Sequence, residues 1–430
     1  MKKIFLALGI FFEAILLSFY AVKQLTIKWG VDNLFLDDRR TFTLVFILLT
    51  TALIVQILAG IIVYKKNINF KQIFIFSIIF NLSLLFVWNI ASNDLYLHIQ
   101  RGRMVALYNA NPYSVTYDSL KFQDPLYETL RTVWSGQLSL YGPTFTLFGA
   151  AISLIARNNF MAYIISYKII YSVLNILVGY LIYKITKNAY AAFLYSWNPA
   201  ILFEIQLNNH LEILMIFFMV FSIYLLLSKV DWKRYILAIS ILTLGSLTKF
   251  FSFLIYPFYI IYGFRKLKTI KEKLLFLLIG GFLQILIITL SFLPFADRTG
   301  FMDSLFALAN GPLISPSLTM LVLVNIFEII KVNKEMATVL SQFIFKLIYA
   351  FLIIKSAFIK RFTEKKVFIL IITLSFAAFI FIYLNLLLPW YVLSLITLLA
   401  IYYGISKEKK YIVFTYLVTI YSFLLYIRTI

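Results

Sequence analysis

Apolar residues in this chain do not recur with a short period. They run on in long blocks, broken by brief polar stretches. Blocks long enough to cross a bilayer begin near Ile4, Phe42, Ile73, Phe160, Ala189, Leu211, Tyr235, Phe250, Leu274, Val339, Val367, Leu388 and Tyr411. At about 20 residues per crossing they predict an all-α polytopic membrane protein with about 13 transmembrane helices. A shorter apolar stretch, 141–156, opens with Tyr141-Gly142-Pro143 and reads as a half-helix or a helix lying at the interface. The first block follows Lys2-Lys3, lacks a small-residue cleavage site and reads as a retained helix rather than a signal peptide.

The polar stretches set the topology. Dense basic clusters fall at Lys2-Lys3, Lys65-Lys66, Lys184 with Lys187, Lys233-Arg234, 265–273, 360–366 and 407–410. Placing all of them in the cytoplasm satisfies the positive-inside rule, provided that 141–156 does not cross. The N-terminus is then inside and the C-terminus outside. A loop from residue 91 to about 140, holding interfacial helices, lies outside the cell membrane. So do the turn from Asn208 to Glu212, Lys249, the loop 296–337 and the corner Pro389-Trp390-Tyr391. The residues with chemical potential share that extracytoplasmic face. A single membrane domain, 1–430, is the economical organisation.

Composition agrees. The 430 residues are 62% hydrophobic and only 13% charged, and mean hydropathy is +0.93. The net charge of +21 is spread through short loops, so it points to membrane lipid and topology, not to nucleic acid. With no Cys and two His, thiolate chemistry is excluded and a zinc site is not expected. Asp37-Asp38 could bind a divalent metal, but the neighbouring Arg39-Arg40 favour self-paired surface charges.

The segment 92–113, SNDLYLHIQRGRMVALYNANPY, concentrates the candidate chemistry. Asp94 could act as a general base on a hydroxyl or could simply be a solvated carboxylate at the membrane–water boundary. Arg101 and Arg103 could hold a phosphate through charge-assisted hydrogen bonds or anchor lipid headgroups. Tyr96, His98 and Asn111-Pro112-Tyr113 accompany them. Trp134-Ser135 and Tyr141-Gly142-Pro143 read as interfacial turns. Trp197-Asn198-Pro199 precedes Glu204, a carboxylate at the end of a span and so costly without a role. His210 and Glu212 follow, with Asn209 as a candidate helix cap. Lys249 either snorkels or neutralises a phosphate. Trp390 and Tyr391 form an interfacial corner.

In this order the elements resemble the GT-C superfamily of multi-spanning glycosyltransferases, and within it the polyprenol-phosphate-mannose-dependent α-1,6-mannopyranosyltransferases. The matching residues are Asn93-Asp94-Leu95-Tyr96-Leu97-His98, Gly102-Arg103, Asn111-Pro112-Tyr113, Tyr141-Gly142-Pro143, Trp197-Asn198-Pro199-Ala200, Glu204, Asn209-His210-Leu211-Glu212, Lys249 and Pro389-Trp390-Tyr391. Two positions depart: Asn93 replaces the first member of an acidic pair, and Glu212 replaces an Asp.

The resemblance implies an inverting transfer of mannose from a polyprenyl-phosphate donor to an extracytoplasmic glycan or glycolipid acceptor. Asp94 would be the catalytic base. Arg101, Arg103 and Lys249 would bind the donor phosphate. Tyr96, His98, Glu204, His210, Glu212, Trp390 and Tyr391 would contact substrate. A lipid-linked oligosaccharide flippase is the first alternative, but it predicts internal repeats and midplane charges. A polymerase or ligase is the second. It would rest on a late Arg/His-rich outer loop, whereas here the early loop is the rich one.

Overall fold

The computed structural model describes residues 2–28, 39–66, 68–295, 317–329, 334–384 and 386–428. These form a helical bundle. Eight of its helices are long and apolar enough to cross a bilayer: Lys2–Leu25, Arg39–Lys66, Phe160–Thr186, Ile270–Phe295, Glu335–Phe358, Lys365–Tyr383, Pro389–Ser406 and Lys410–Ile427. The chain is thus a multi-pass membrane protein, with eight candidate spans by this criterion among the described residues where the sequence predicts about thirteen. The other apolar blocks fold as shorter helices, including Phe70–Phe86, Glu212–Ser228 and Trp232–Ser246, and the stretch read as the loop 296–337 contains a short apolar helix, Leu318–Ile329. The block near Ala189 stops at Ser196, and the one near Phe250 opens with a 3-10 turn before a helix that begins at Tyr256. Asp37, Asp38 and most of 296–337 lie outside the described residues.

One break shows why an apolar block need not fold as one long helix. The helix Ala189–Ser196 ends at Trp197, and Asn198 restarts the chain by accepting from the amides of Ala200 (3.0 Å) and Ile201 (3.3 Å), with Pro199 in the first turn. Trp197 is fully buried among Phe5, Phe12, Phe76, Phe80 and Phe193, with ring centroids 5.0–5.6 Å away. The aromatic cluster pins this break between helices. The restarted chain widens into a π-helical turn, Phe203–Leu207, which carries Glu204. Single π-turns inside helices are a frequent mark of functional sites.

Basic clusters from distant parts of the chain meet at one end of the bundle. Lys366 pairs with Glu408 at 2.7 Å, Lys266 donates to the Thr363 carbonyl, and Tyr64, Lys187 and Lys407 line one cavity. From Lys410 the last helix runs about 24 Å, at ~1.5 Å per residue, before Tyr426 reaches Glu204. The acidic and histidine-bearing site therefore sits at the far end from the basic cluster.

The segment 91–140 folds over that far end. It holds the helix Asp94–Tyr108 and two short turns, Tyr117–Leu120 and Tyr127–Leu130. Pro143–Ala156 is a 14-residue helix, too short to cross unaided. It packs so closely on Asp94–Tyr108 that a Cβ on Gly102 would lie 2.3 Å from the Gly149 carbonyl oxygen.

Candidate active site

Asp94 opens its helix, where a negative charge suits the exposed amides of the first turn. Its own amide donates to Ser92 Oγ at 3.1 Å. Three asparagines and one backbone amide tie this helix start to a distant turn. Ala91 donates its amide to Asn208 Oδ1 (2.9 Å), Asn209 Nδ2 donates to Asn89 Oδ1 (2.7 Å), and Asn89 Nδ2 reaches the Asn208 carbonyl (3.4 Å). Asn209 adopts φ +57°, the left-handed conformation that Asn tolerates. It is not a helix cap: the helix Glu212–Ser228 begins after Leu211 without a side-chain cap, and the Asn209 amide serves the inter-segment tie.

That tie places His210 between two carboxylates. Nδ1 lies 3.2 Å from Asp94 Oδ2, and Nε2 lies 3.3 Å from Glu204 Oε2. The first contact has hydrogen-bond geometry, while the second is an ion-pair distance without hydrogen-bond alignment. Trp390 stacks on the imidazole at 3.7 Å and 18°. Tyr426 donates to both oxygens of Glu204, at 2.8 and 2.9 Å. Burial would lower the His210 pKa, but hydrogen bonds and charge from Asp94 and Glu204 overcome it and raise the pKa to about 9. The ring is therefore an imidazolium at neutral pH. Burial likewise would raise the Asp94 pKa, yet the His210 hydrogen bond and the charges of His210 and Lys249 bring it below its ordinary 3.8.

A cavity of about 230 Å³ adjoins Asp94. Its polar side is Asp94, Arg101, Gln137, Tyr141 and Lys249; its apolar side includes Leu138, Phe250, Phe251, Leu386 and Leu388; Trp134, Trp390 and Tyr391 complete it. Lys249 forms a buried ion pair with Glu212 and lies 3.8 Å from the centroid of the Tyr391 ring. Burial would lower its pKa, but the Glu212 carboxylate outweighs this and raises it. Arg101 is 1% exposed. Among the described residues it donates only to uncharged groups: the carbonyls of Gln137 (2.5 Å) and Trp134 (3.5 Å), and the Met104 sulfur. Its Nε has no hydrogen-bond partner among them. Among the described residues no carboxylate pairs with it, and burial lowers its pKa to about 10.

The Tyr141-Gly142-Pro143 motif builds one wall. Gly142 donates its amide to the Thr248 carbonyl at 3.1 Å, and Thr144 donates to Leu247 at 3.0 Å. A Cβ at Gly142 would lie 2.0 Å from the Leu247 oxygen, so only glycine allows this docking. Tyr113 holds the Tyr141 carbonyl through its hydroxyl (2.9 Å), and the Asn111 side chain accepts the Tyr113 amide (3.0 Å). Asn111-Pro112-Tyr113 thus supports Tyr141 from behind.

Some expected site residues face elsewhere. Arg103 is not among the cavity residues. It forms a buried ion pair with Asp124, with Nε 2.8 Å from Oδ2, and donates to Tyr163 and Asn158. Tyr117 also donates to Asp124, at 2.8 Å. Asp124 had no motif to reveal it, and this network fastens the 91–140 segment. Tyr96 packs on Phe160. His98 is buried against Tyr141 and Phe145, and among the described residues neither ring nitrogen has a hydrogen-bond partner. Burial drives its pKa to about 3, so it stays neutral. Among the described residues no group of three or more His, Asp or Glu is placed to hold a metal.

The cavity thus joins a carboxylate, two cations and an apolar wall inside a membrane bundle. Residues 5–265 match the family described as alpha-(1->6)-mannopyranosyltransferase, N-terminal domain, and the chain belongs to that family. It is accordingly a mannosyltransferase that takes mannose from a polyprenyl-phosphate-mannose donor and passes it to a glycan acceptor. No curated protein and no solved structure matches the chain. Trp390, Tyr391 and Tyr426 lie beyond the matched residues, yet they enclose the same site.

Proposed function

We propose that transfer takes place at the cavity beside Asp94, on the extracytoplasmic side, with inversion at the anomeric carbon. The carrying observation is Arg101: a buried guanidinium with no carboxylate partner among the described residues, lining a cavity that also holds Asp94 and Lys249. A buried charge wants a counter-charge, and the donor phosphate is the anion this substrate brings. Arg101 and Lys249 then hold the phosphate and stabilise its charge as the glycosidic bond breaks. The apolar residues Phe250, Phe251, Leu386 and Leu388 suit the first isoprene units.

Asp94 takes the proton of the acceptor hydroxyl as that oxygen attacks the anomeric carbon from the face opposite the phosphate. A β-linked donor then yields an α product. The basic clusters at the other end of the bundle support an outer position for the site. Glu204, His210, Glu212, Trp390 and Tyr391 act by fixing Asp94 and Lys249, while Arg103, Tyr96 and His98 serve the packing of the 91–140 segment.

The test is transfer by the purified chain from β-linked polyprenyl-phosphate-[13C]mannose, with the product anomer read by NMR, for wild type and Arg101→Gln. An α product, with donor KM raised at least about tenfold in the variant, is expected. A β product, or an unchanged donor KM, would overturn the inverting site or the Arg101 role respectively.

A further inference from the structure

The last helix, Lys410–Arg428, lies outside the family match, yet three of its polar side chains reach the site region. Thr419, Ser422 and Tyr426 stand three and four residues apart and so share one helical face. Thr419 Oγ1 accepts from Asn198 Nδ2 at 2.8 Å, at the start of the turn that leads to Glu204. Ser422 donates to the Pro389 carbonyl at 3.2 Å, beside Trp390. Tyr426 donates to both Glu204 oxygens. Each bond goes to the segment holding Glu204 or to the one holding Trp390. These are the residues at the edge and on the face of the His210 ring.

We propose that Tyr426 is a positioning residue for mannosyl transfer: the Lys410–Arg428 helix clamps Glu204 and Trp390 around His210, and His210 in turn holds Asp94 toward the acceptor. The inference rests on Asp94 being the base, but it assigns the clamp to a helix that the family match does not include. A carboxylate buried to 1% exposure keeps its orientation only while its oxygens are hydrogen-bonded. Besides Tyr426, Asn208 Nδ2 at 3.3 Å is its other hydrogen-bond donor among the described residues. Without the tyrosine hydroxyl, Glu204 loses its aim at Nε2. His210 then keeps Asp94 as its one fixed carboxylate. Its positive charge weakens, and Asp94 Oδ2 loses a firm partner.

The charged and titratable groups facing this pair are Glu204, His98, Lys249, Glu212, Tyr141 and Tyr391. Of these, Glu204 alone bonds the Tyr426 hydroxyl, so Tyr426→Phe acts on the pair through Glu204.

The chain has two histidines, and His98 stays neutral through the neutral range, so imidazole NMR of the full chain in detergent follows His210 alone. The wild-type midpoint is expected near pH 9. In Tyr426→Phe it should fall by about one unit, a tenfold weaker hold on the proton, with kcat lower and donor KM unchanged. A wild-type midpoint in Tyr426→Phe, whatever its activity, overturns the clamp. If Tyr426→Phe does not fold, Glu204→Gln carries the same test: an unchanged midpoint there is equally fatal. Failure of the Asp94 assignment has a separate signature. Asp94→Asn would then remain active, while the Tyr426→Phe shift in the NMR titration would persist.

Discussion

Asp94 and His210 stand 116 residues apart in sequence, yet the Asp94 carboxylate lies 3.2 Å from the imidazole Nδ1. The contact is not left to the two side chains. Asn89, Asn208 and Asn209, with the Ala91 amide, tie the two backbones together, and the ion pair sits on that frame. A general base gains from such fixation, because misplacement by about 1 Å can cost a hundredfold in rate.

Asp94→Asn keeps the size of the side chain and removes its basicity. A positioned general base contributes about 10²–10⁴-fold, or roughly 3–5 kcal/mol of barrier. Transfer from the lipid donor should fall at least about a hundredfold with the protein still folded, as judged by elution and melting in detergent. Retention of more than about a third of the activity would move the base elsewhere, with Glu212 and then Glu204 the next carboxylates to test.

The pH dependence has two arms. His210 is raised from 6.5 to about 9, so its contribution to stability is complete below 6.5 and is lost as pH rises through about 9. Asp94 is lowered from 3.8, so its contribution is present above 3.8 and is lost as pH falls through the depressed value. Melting temperature in detergent should therefore decline between about pH 6.5 and 9 in the wild type. Replacing His210 with Asn should flatten that decline and lower the plateau below it. An identical slope in both proteins would remove the imidazolium from the account.

Arg101 and Arg103 should part company. Arg103 and Asp124 form a buried pair, and deleting one member of such a pair typically costs about 3–5 kcal/mol. Arg103→Ala should therefore melt early, with its folded fraction keeping the wild-type donor KM. Lys249 needs a paired change, since Lys249→Ala alone would leave Glu212 buried and uncompensated. The double substitution Lys249→Met with Glu212→Gln avoids that and should raise donor KM. A wild-type donor KM in the double variant would return Lys249 to a packing role.

Much of this site was legible because a carboxylate or lysine in an apolar chain is costly, which singles out Asp94, Glu204, Glu212 and Lys249 without any structure. The choice between the two arginines was legible in principle. Asp94 and Arg101 are seven residues apart, about two helical turns, whereas Arg103 is half a turn further round and faces away. Seeing this requires the polar segment to be a helix, and its Asn, His and Arg content disguised that. Helix breaks at Trp197-Asn198-Pro199 and before Tyr256 were lost because hydropathy windows average across them. Tyr426 carried no signal, being one tyrosine among 29 in a run that reads as lipid-facing. Its role comes from a contact 222 residues away in sequence, and no local pattern encodes that.

The placement of the site relative to the membrane can be tested with one residue. Ser119 is exposed on the 91–140 segment, and its hydroxyl bonds only the nearby Thr116 carbonyl. The chain contains no cysteine, so Ser119→Cys introduces a unique thiol at a surface position where substitutions usually change stability by less than about 0.5 kcal/mol. If the basic clusters lie in the cytoplasm, as the positive-inside rule requires, this thiol faces outward. An impermeant maleimide added to intact cells should label it to the same extent as in opened membranes. A cysteine at Lys187, exposed at the basic end of the bundle, should label only after the membrane is opened. Reversal of the two patterns would put the Asp94 cavity on the cytoplasmic side and remove the argument for an extracytoplasmic acceptor.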